Sequence, residues 1–234
     1  MKKIIVFVIV SIVVLACGNK KENTMLVQGE IKNFKKGVLY LQKLKDTLLI
    51  TVDSISLDGV NKFVLTDEVE SPEIYFLSLD KSPSKQISFF GEKGTITIDT
   101  RLDNFVFGAS ISGLTNQQLL DEYKEMKSKF SNKRLDLIKA DFEAKRAQDS
   151  LFIDSIQSQI NSLLKRKYLY TVNFALNNKD SEVAPYLALT EIYNAQIKYL
   201  DTINVSLTPE VKNSKYGKEL QLFVDNIKKE DAEK

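Results

Sequence analysis

Val38-Leu39-Tyr40-Leu41 and, after a short gap, Leu48-Leu49-Ile50-Thr51-Val52-Asp53-Ser54-Ile55 read as two β-strands that pair with each other. In the second run Leu49, Thr51, Asp53 and Ile55 alternate with Ile50, Val52 and Ser54, the period-two pattern of a strand whose two faces meet different surroundings. Asp58-Gly59 with Asn61 just beyond has the chemistry of a hairpin turn, because glycine accepts a positive φ. Upstream lies Met25-Leu26-Val27-Gln28-Gly29-Glu30-Ile31, closed by a turn over residues 33–37. Downstream come Lys62-Phe63-Val64-Leu65, Ile74-Tyr75-Phe76-Leu77, Ile87-Ser88-Phe89-Phe90 and Thr95-Ile96-Thr97-Ile98, with Gly91-Glu92-Lys93-Gly94 as a further turn. Short β-branched and aromatic runs at this spacing predict an antiparallel β-sandwich-like domain over residues 25–114.

The grammar then changes. Seven of the nine glycines lie from Gly29 to Gly113, and no glycine or proline occurs between Gly113 and Pro185. Such a stretch favours long helices, so the fold class is α+β, with an α-helical region over residues 115–234. Thr115-Asn116-Gln117-Gln118 offers a helix start, and Leu119, Tyr123, Met126 and Phe130 follow at helical spacing, continued by Leu135, Ile138 and Phe142. Asp149-Ser150 marks a break before a second stripe of Phe152, Ile156, Ile160 and Leu163. Pro185 opens a helix expected to run from Tyr186 to Tyr199. A last helix is expected over about residues 218–228, with Leu220, Phe223, Val224 and Ile227 on one face. The apolar stripes offer partner or coiled-coil surfaces, but their short heptads and irregular flanking charge favour packing among themselves.

Composition narrows the chemistry. The chain has no histidine and one cysteine, Cys17. Ser-His-Asp sites, Cys-His sites and imidazole metal ligands are therefore excluded. No catalytic, metal-binding or cofactor-binding residue is assigned. The only enzymology open to the chain rests on carboxylates, lysine, tyrosine, serine or arginine, for instance a hydrolase with Asp and Glu across a cleft. Lys165-Arg166-Lys167 reads as a solvated helix face or a contact with anionic lipid, and no basic stripe suggests nucleic acid.

The N-terminus places the protein. Met1-Lys2-Lys3 is basic, residues 4–15 are almost wholly apolar, and Val14-Leu15-Ala16-Cys17 ends in a small residue before the cysteine. That is the order of a secretory signal, and its cysteine-terminated form resembles the lipobox of bacterial lipoproteins. The expectation is a signal peptide over residues 1–16 cut between Ala16 and Cys17, lipidation (diacylglyceryl and palmitate-type chains) of Cys17, and a tether over residues 17–24. Cleavage would leave 218 of the 234 residues and remove Lys2 and Lys3, so that 31 basic residues balance 31 acidic ones. Two or three acyl chains at roughly 0.8 kcal/mol per buried methylene anchor a protein stably to a leaflet. Gly18, in place of an aspartate, favours the outer membrane over the inner, facing either the periplasm or the exterior.

Gly29-Glu30-Ile31, Val38–Leu41, Val52-Asp53-Ser54, Asp58-Gly59 with Lys62-Phe63, and Ile111-Ser112-Gly113 leading into a helix at Asn116 follow a familiar order. Together they resemble the domain of unknown function that precedes the thioredoxin domain in bacterial lipoproteins of the TlpA/ResA thiol:disulfide interchange kind. Leu207-Thr208-Pro209-Glu210-Val211 and Ser214-Lys215-Tyr216-Gly217-Lys218-Glu219-Leu220 are similar to the linker that leads into that thioredoxin fold. The resemblance implies a fold and an envelope location. It does not imply oxidoreductase activity, since no Cys-x-x-Cys is present. Residue by residue, Gly29, Gly59 and Gly113 read as turn or bulge glycines, Asp53-Ser54 as a solvent-facing polar pair, and Tyr186, Tyr193 and Tyr199 as a packing seam. The functional expectation is a non-catalytic, membrane-anchored cell-envelope lipoprotein that binds or scaffolds another envelope protein or a small ligand, with homo-oligomerisation open. The alternative is an accessory or truncated member of an envelope thiol-disulfide pathway without a redox site of its own.

Overall fold

Two four-stranded sheets face each other and a helical layer covers one of them. A computed structural model describes residues 23–233; the expected cleavage and lipidation at Ala16 and Cys17 lie outside them. The strands are β1 (Thr24–Lys32), β2 (Lys36–Lys45), β3 (Leu48–Asp58), β4 (Lys62–Glu68), β5 (Glu73–Leu79), β6 (Gln86–Gly91), β7 (Gly94–Arg101) and β8 (Ser110–Ser112). One sheet has the order β4-β1-β7-β8 and the other β3-β2-β5-β6. The α+β reading of strands first and helices after is what the structure has.

The expected pairing of β2 with β3 is present, with Leu39 opposite Ile55. Past Leu41 and Asp53 the register jumps to Gln42 opposite Thr51, leaving Val52 as a bulged residue turned against the core. Three details differ from the sequence expectation. Asp58-Gly59 is not a hairpin turn within one sheet: β3 pairs with β2 while β4 pairs with β1, so the turn carries the chain from one sheet to the other. Gly91–Gly94 does the same between β6 and β7. The sheets are also not wholly antiparallel, because β1 and β7 run parallel, with Val27 beside Ile96.

The parallel pair explains Gly29. A Cβ at Gly29 would lie 1.8 Å from the Ile98 carbonyl oxygen, so the two strands approach as closely as they do only because position 29 has no side chain. Gly59 and Gly113 have φ of +70° and +134°, as turn glycines should. Between the sheets lies a core of Met25, Val27, Ile31, Leu39, Leu41, Tyr75, Leu77, Phe89, Ile96 and Ile98, all fully buried.

The helices are α1 (Thr115–Ala147), α2 (Ser150–Asn177), α3 (Val183–Glu191), α4 (Ile197–Ser206), α5 (Pro209–Asn213) and α6 (Lys215–Ala232). α1 and α2 form a hairpin in which Gln148 takes a left-handed φ of +57° and Asp149 caps α2 by accepting from the Phe152 amide at 3.0 Å. The expected helix over residues 186–199 breaks at Ile192 into α3 and α4, so Tyr186, Tyr193 and Tyr199 do not share a face. α3 to α6 and the end of α2 enclose their own core of Val172, Ala175, Ala188, Ile203, Leu220 and Val224.

What joins the halves is that β5 and β6 are buried on both faces. Tyr75, Leu77, Ile87 and Phe89 point into the sandwich, while Phe90 with its neighbour Ile74 packs against Leu120, Tyr123, Phe174, Leu187 and Tyr216 of the helices. Phe90 meets the rings of Tyr186 and Tyr216 edge-on at 5.6 and 5.9 Å. Replacing Phe90 by Ala should therefore lower unfolding free energy by about 3–5 kcal/mol in urea denaturation. Phe107 lies 94% exposed on the loop before β8, and its replacement by Ala should change stability by less than about 0.5 kcal/mol.

Candidate functional site

Two polar clusters lie at this seam between sheet and helices. The first is built on α6. Thr208 accepts from the Val211 amide and Pro209 opens α5, which delivers the chain to Ser214. The Ser214 hydroxyl donates to the Val211 carbonyl at 2.7 Å and accepts from the Gly217 amide at 3.3 Å, capping α6. A Cβ at Gly217 would lie 2.0 Å from the Val211 carbonyl oxygen, so the corner between α5 and α6 closes only around glycine. The Lys215 amide, one of the donors a helix start leaves unpaired, donates to the Ser71 hydroxyl at 2.9 Å.

That corner points Lys215 and Tyr216 at the sheet. The Tyr216 hydroxyl accepts from the Ile74 amide at 3.0 Å. The Lys215 ammonium donates to Glu73 and, at 3.2 Å, to the Leu44 carbonyl. Glu73 in turn lies 3.8 Å from the Lys43 ammonium, which donates to Asp67 at 2.7 Å and to the Tyr75 hydroxyl at 3.2 Å. Tyr75 completes the chain by donating to the same Asp67 oxygen at 2.7 Å. Two ammonium groups, two carboxylates and a phenol thus satisfy one another. Burial first, then the hydrogen bond to Asp67, push the Tyr75 phenol well above its ordinary range, so it stays protonated.

Beside this cluster a cavity of about 200 Å³ is lined by Leu44, Glu73, Ile74, Lys215, Tyr216 and Glu219, with Asp46 at its side. Burial raises the pKa of Glu219, with Lys215 pulling it back and Glu73 adding to the rise. Glu73 and Glu219 thus line one cavity, and of the two it is Glu73 that bonds the Lys215 ammonium.

The second cluster fixes α1. Residue 114, a leucine, precedes the helix and makes no side-chain cap, so the expected local start at Thr115 is capped from outside. Glu92, on the turn between β6 and β7, accepts from the Asn116 amide at 2.8 Å and from its side-chain nitrogen at 2.9 Å. The same nitrogen donates to Glu182, and the Ser181 hydroxyl donates to the Asn116 oxygen at 2.5 Å. Burial raises the pKa of Glu92 and the nearby Glu182 adds to it, while the two Asn116 donors oppose both. Gln117 accepts from the Phe90 amide at 2.7 Å, so α1 closes the outer edge of β6.

Residues 25–120 match the family model described as a domain of unknown function, DUF4369. The DUF4369 match spans under half of the chain and ends inside the first turns of α1. It thus contains both sheets together with Asn116, Gln117 and Leu120, the α1 residues that hold the helix to β6. No curated protein matches the chain, and no solved structure does.

The other residues singled out from sequence have structural partners. Asp53 accepts from its neighbour Ser54 and, at 2.8 Å, from the Thr66 amide, so its carboxylate ties the edge of β4 to β3. Lys167 of the basic run is not free in solvent: it and Lys127 hold Glu191 at 3.0 and 2.6 Å, while Lys165 and Arg166 remain exposed. Among the described residues no group of histidine, cysteine, aspartate and glutamate is arranged to hold a metal ion. The seam clusters were not readable from sequence, because Lys43, Asp67, Glu73 and Lys215 lie on four different elements. The one local signal was Thr208-Pro209 and Ser214 with Gly217, two helix starts in quick succession.

Burial works to raise the Glu191 pKa, but the two lysines outweigh it and hold the carboxyl below its usual range. A depressed carboxyl stabilises the fold fully above its unfolded-state pKa, and the contribution is lost as pH falls through the folded-state value. Glu191→Gln should cost about 1–2 kcal/mol at neutral pH. The gap to the parent protein should close in acid, as read by urea denaturation at a series of pH values. Glu92→Ala should cost about 1–2 kcal/mol by removing the cap of α1.

Proposed function

We propose that this protein is a non-catalytic cell-envelope lipoprotein, held to a membrane by acyl chains on Cys17, whose folded part binds or scaffolds another envelope component. The observation that carries the reading is how the half-buried charges are used. Lys43, Asp67, Glu73 and Lys215 are paired with each other across the seam, and Lys127 of α1 and Lys167 of α2 are both paired with Glu191 of α3. Groups committed in this way lock sheet to helix and helix to helix. Among the described residues no helix is long and apolar enough to cross a membrane, so this reading rests attachment on Cys17.

A second reading, an accessory in an envelope thiol-disulfide pathway, is favoured by the DUF4369 match together with the linker-like sequence from Leu207 to Leu220. In that reading the helical layer is the part that meets a separate redox protein, and this chain performs no exchange itself.

Intact-mass analysis of the native protein should give a chain beginning at Cys17 and carrying acyl groups, and Cys17→Ser should abolish both the processing and the membrane fraction. An unacylated residue 17 would overturn the anchor. Crosslinking in intact envelopes should then recover a reproducible partner. Recovery of a Cys-x-x-Cys thioredoxin-fold protein would favour the second reading, and recovery of none would count against both.

A further inference from the structure

The outer part of the α1–α2 hairpin has too few partners for the apolar surface it carries. α1 has 33 residues and α2 has 28, about 50 and 42 Å of helix. Beyond the seam their shared core is thin: Leu137, Ala144, Ile156 and Leu163, with Phe130, Ala140, Ile153 and Ile160 at its margin, come from these two helices alone. Leu135, Ile138 and Phe142, expected from spacing to form part of the buried stripe, turn the other way. Leu135 is 63% and Phe142 66% exposed, and Leu151 at the start of α2 is 83% exposed. The alternation is helical: Leu137, Ala140 and Ala144 take the inner face, leaving residues 135, 138 and 142 on the outer one. A contiguous exposed patch of this kind marks an interaction surface.

We propose that a second copy of this chain covers this face, with the two arms packed antiparallel about a point between Leu137 and Ile138 as a four-helix bundle. Three features of the arm select that occupant. Residues 133–154 carry five basic and five acidic side chains, a balance that gives no attraction to an anionic membrane or a polyanion. Arg134 and Asp141 are seven residues apart on one side of the stripe, with the midpoint between Leu137 and Ile138. Antiparallel pairing about that midpoint puts Arg134 of one copy level with Asp141 of the other, and the two-fold repeats the contact. It also sets Leu135 between the levels of Ile138 and Phe142 of the second copy, so apolar residues meet apolar residues along the seam.

The third feature is a hole for a knob. Between the helices on the Arg134 side lies a groove of about 270 Å³ walled by Phe130, Ser131, Arg134, Ile160 and Leu164. Helix pairs in bundles interlock by seating a side chain of one helix in such a gap of the next. Asp141 is held in place by Lys145 at 2.6 Å and Gln157 at 2.9 Å within its own chain, so Arg134 of a second copy would add to bonds the carboxylate already makes. The inference is independent of whether residue 17 is acylated and of what else the protein binds.

The test uses the full chain and places one new thiol at a time, oxidised in intact envelopes and again after purification. Ile138→Cys, beside the two-fold, should convert most of the protein to a covalent dimer. Leu222→Cys, more solvent-facing still on α6, should not. Phe142→Asp added to Ile138→Cys should reduce crosslinking by about tenfold or more. Arg134→Glu should weaken it too, and Arg134→Glu with Asp141→Arg should restore it. Circular dichroism should be unchanged for Phe142→Asp, since the side chain is exposed in the single chain. Equal crosslinking at positions 138 and 222, or none at either, would overturn the proposal. So would Phe142-dependent capture of vesicles or of a different protein without any dimer.

Discussion

Phe89 and Phe90 are adjacent in sequence and serve two different cores. A strand sends successive side chains to opposite faces, so Phe89 enters the space between the sheets and Phe90 enters the helical layer. The whole molecule depends on that back-to-back burial, because it makes β5 and β6 an internal layer between two bodies. Among the described residues the helices otherwise meet the sandwich at its margins: α1 covers the edge of β6, and α6 meets the end of β5 through Lys215 and Tyr216. Remove the Phe90 side of that layer and the helices retain their own core but lose the surface that orients them.

The layer was partly legible. Ile74-Tyr75-Phe76-Leu77 and Phe89-Phe90 depart from alternation, and a strand apolar at consecutive positions is one covered on both sides. The order of strands, the change to helix after Gly113 and the cap at Asp149 could also be read, because each is a local signal of turn, period or cap. Partners across the sheets could not. Asp58-Gly59 has the same composition whether it joins neighbours in one sheet or crosses between two. The parallel union of β1 with β7 has no local mark beyond a glycine at position 29. The α1 stripe was misassigned for a similar reason: Leu135, Ile138 and Phe142 obey the helical period as well as Leu137, Ala140 and Ala144 do, and bulk alone does not say which face turns inward.

The polar seam shows how half-buried charge fixes the placement of the two halves. Half-buried charges are costly unless paired, and removing one partner exposes the cost of the other. Here each cluster takes members from both sides of a boundary, Lys43 and Asp67 from the sheets with Lys215 from α6, or Glu92 from a turn with Asn116 from α1. Matching across a boundary fixes one relative placement of sheet and helices more sharply than apolar packing does, since rings slide and ion pairs with fixed lengths do not.

The parallel pairing of β1 with β7 has a temporal consequence. Gln28 and Thr97 lie side by side yet are 69 residues apart in sequence. A ribosome or translocon delivers the chain in order, so the first strand emerges with its neighbour on that side still unmade. Contacts of such long separation form late and slowly. Until Gly94–Arg101 has arrived, the edge of β1 beside Gly29 stays open, and the newborn polypeptide remains threadable.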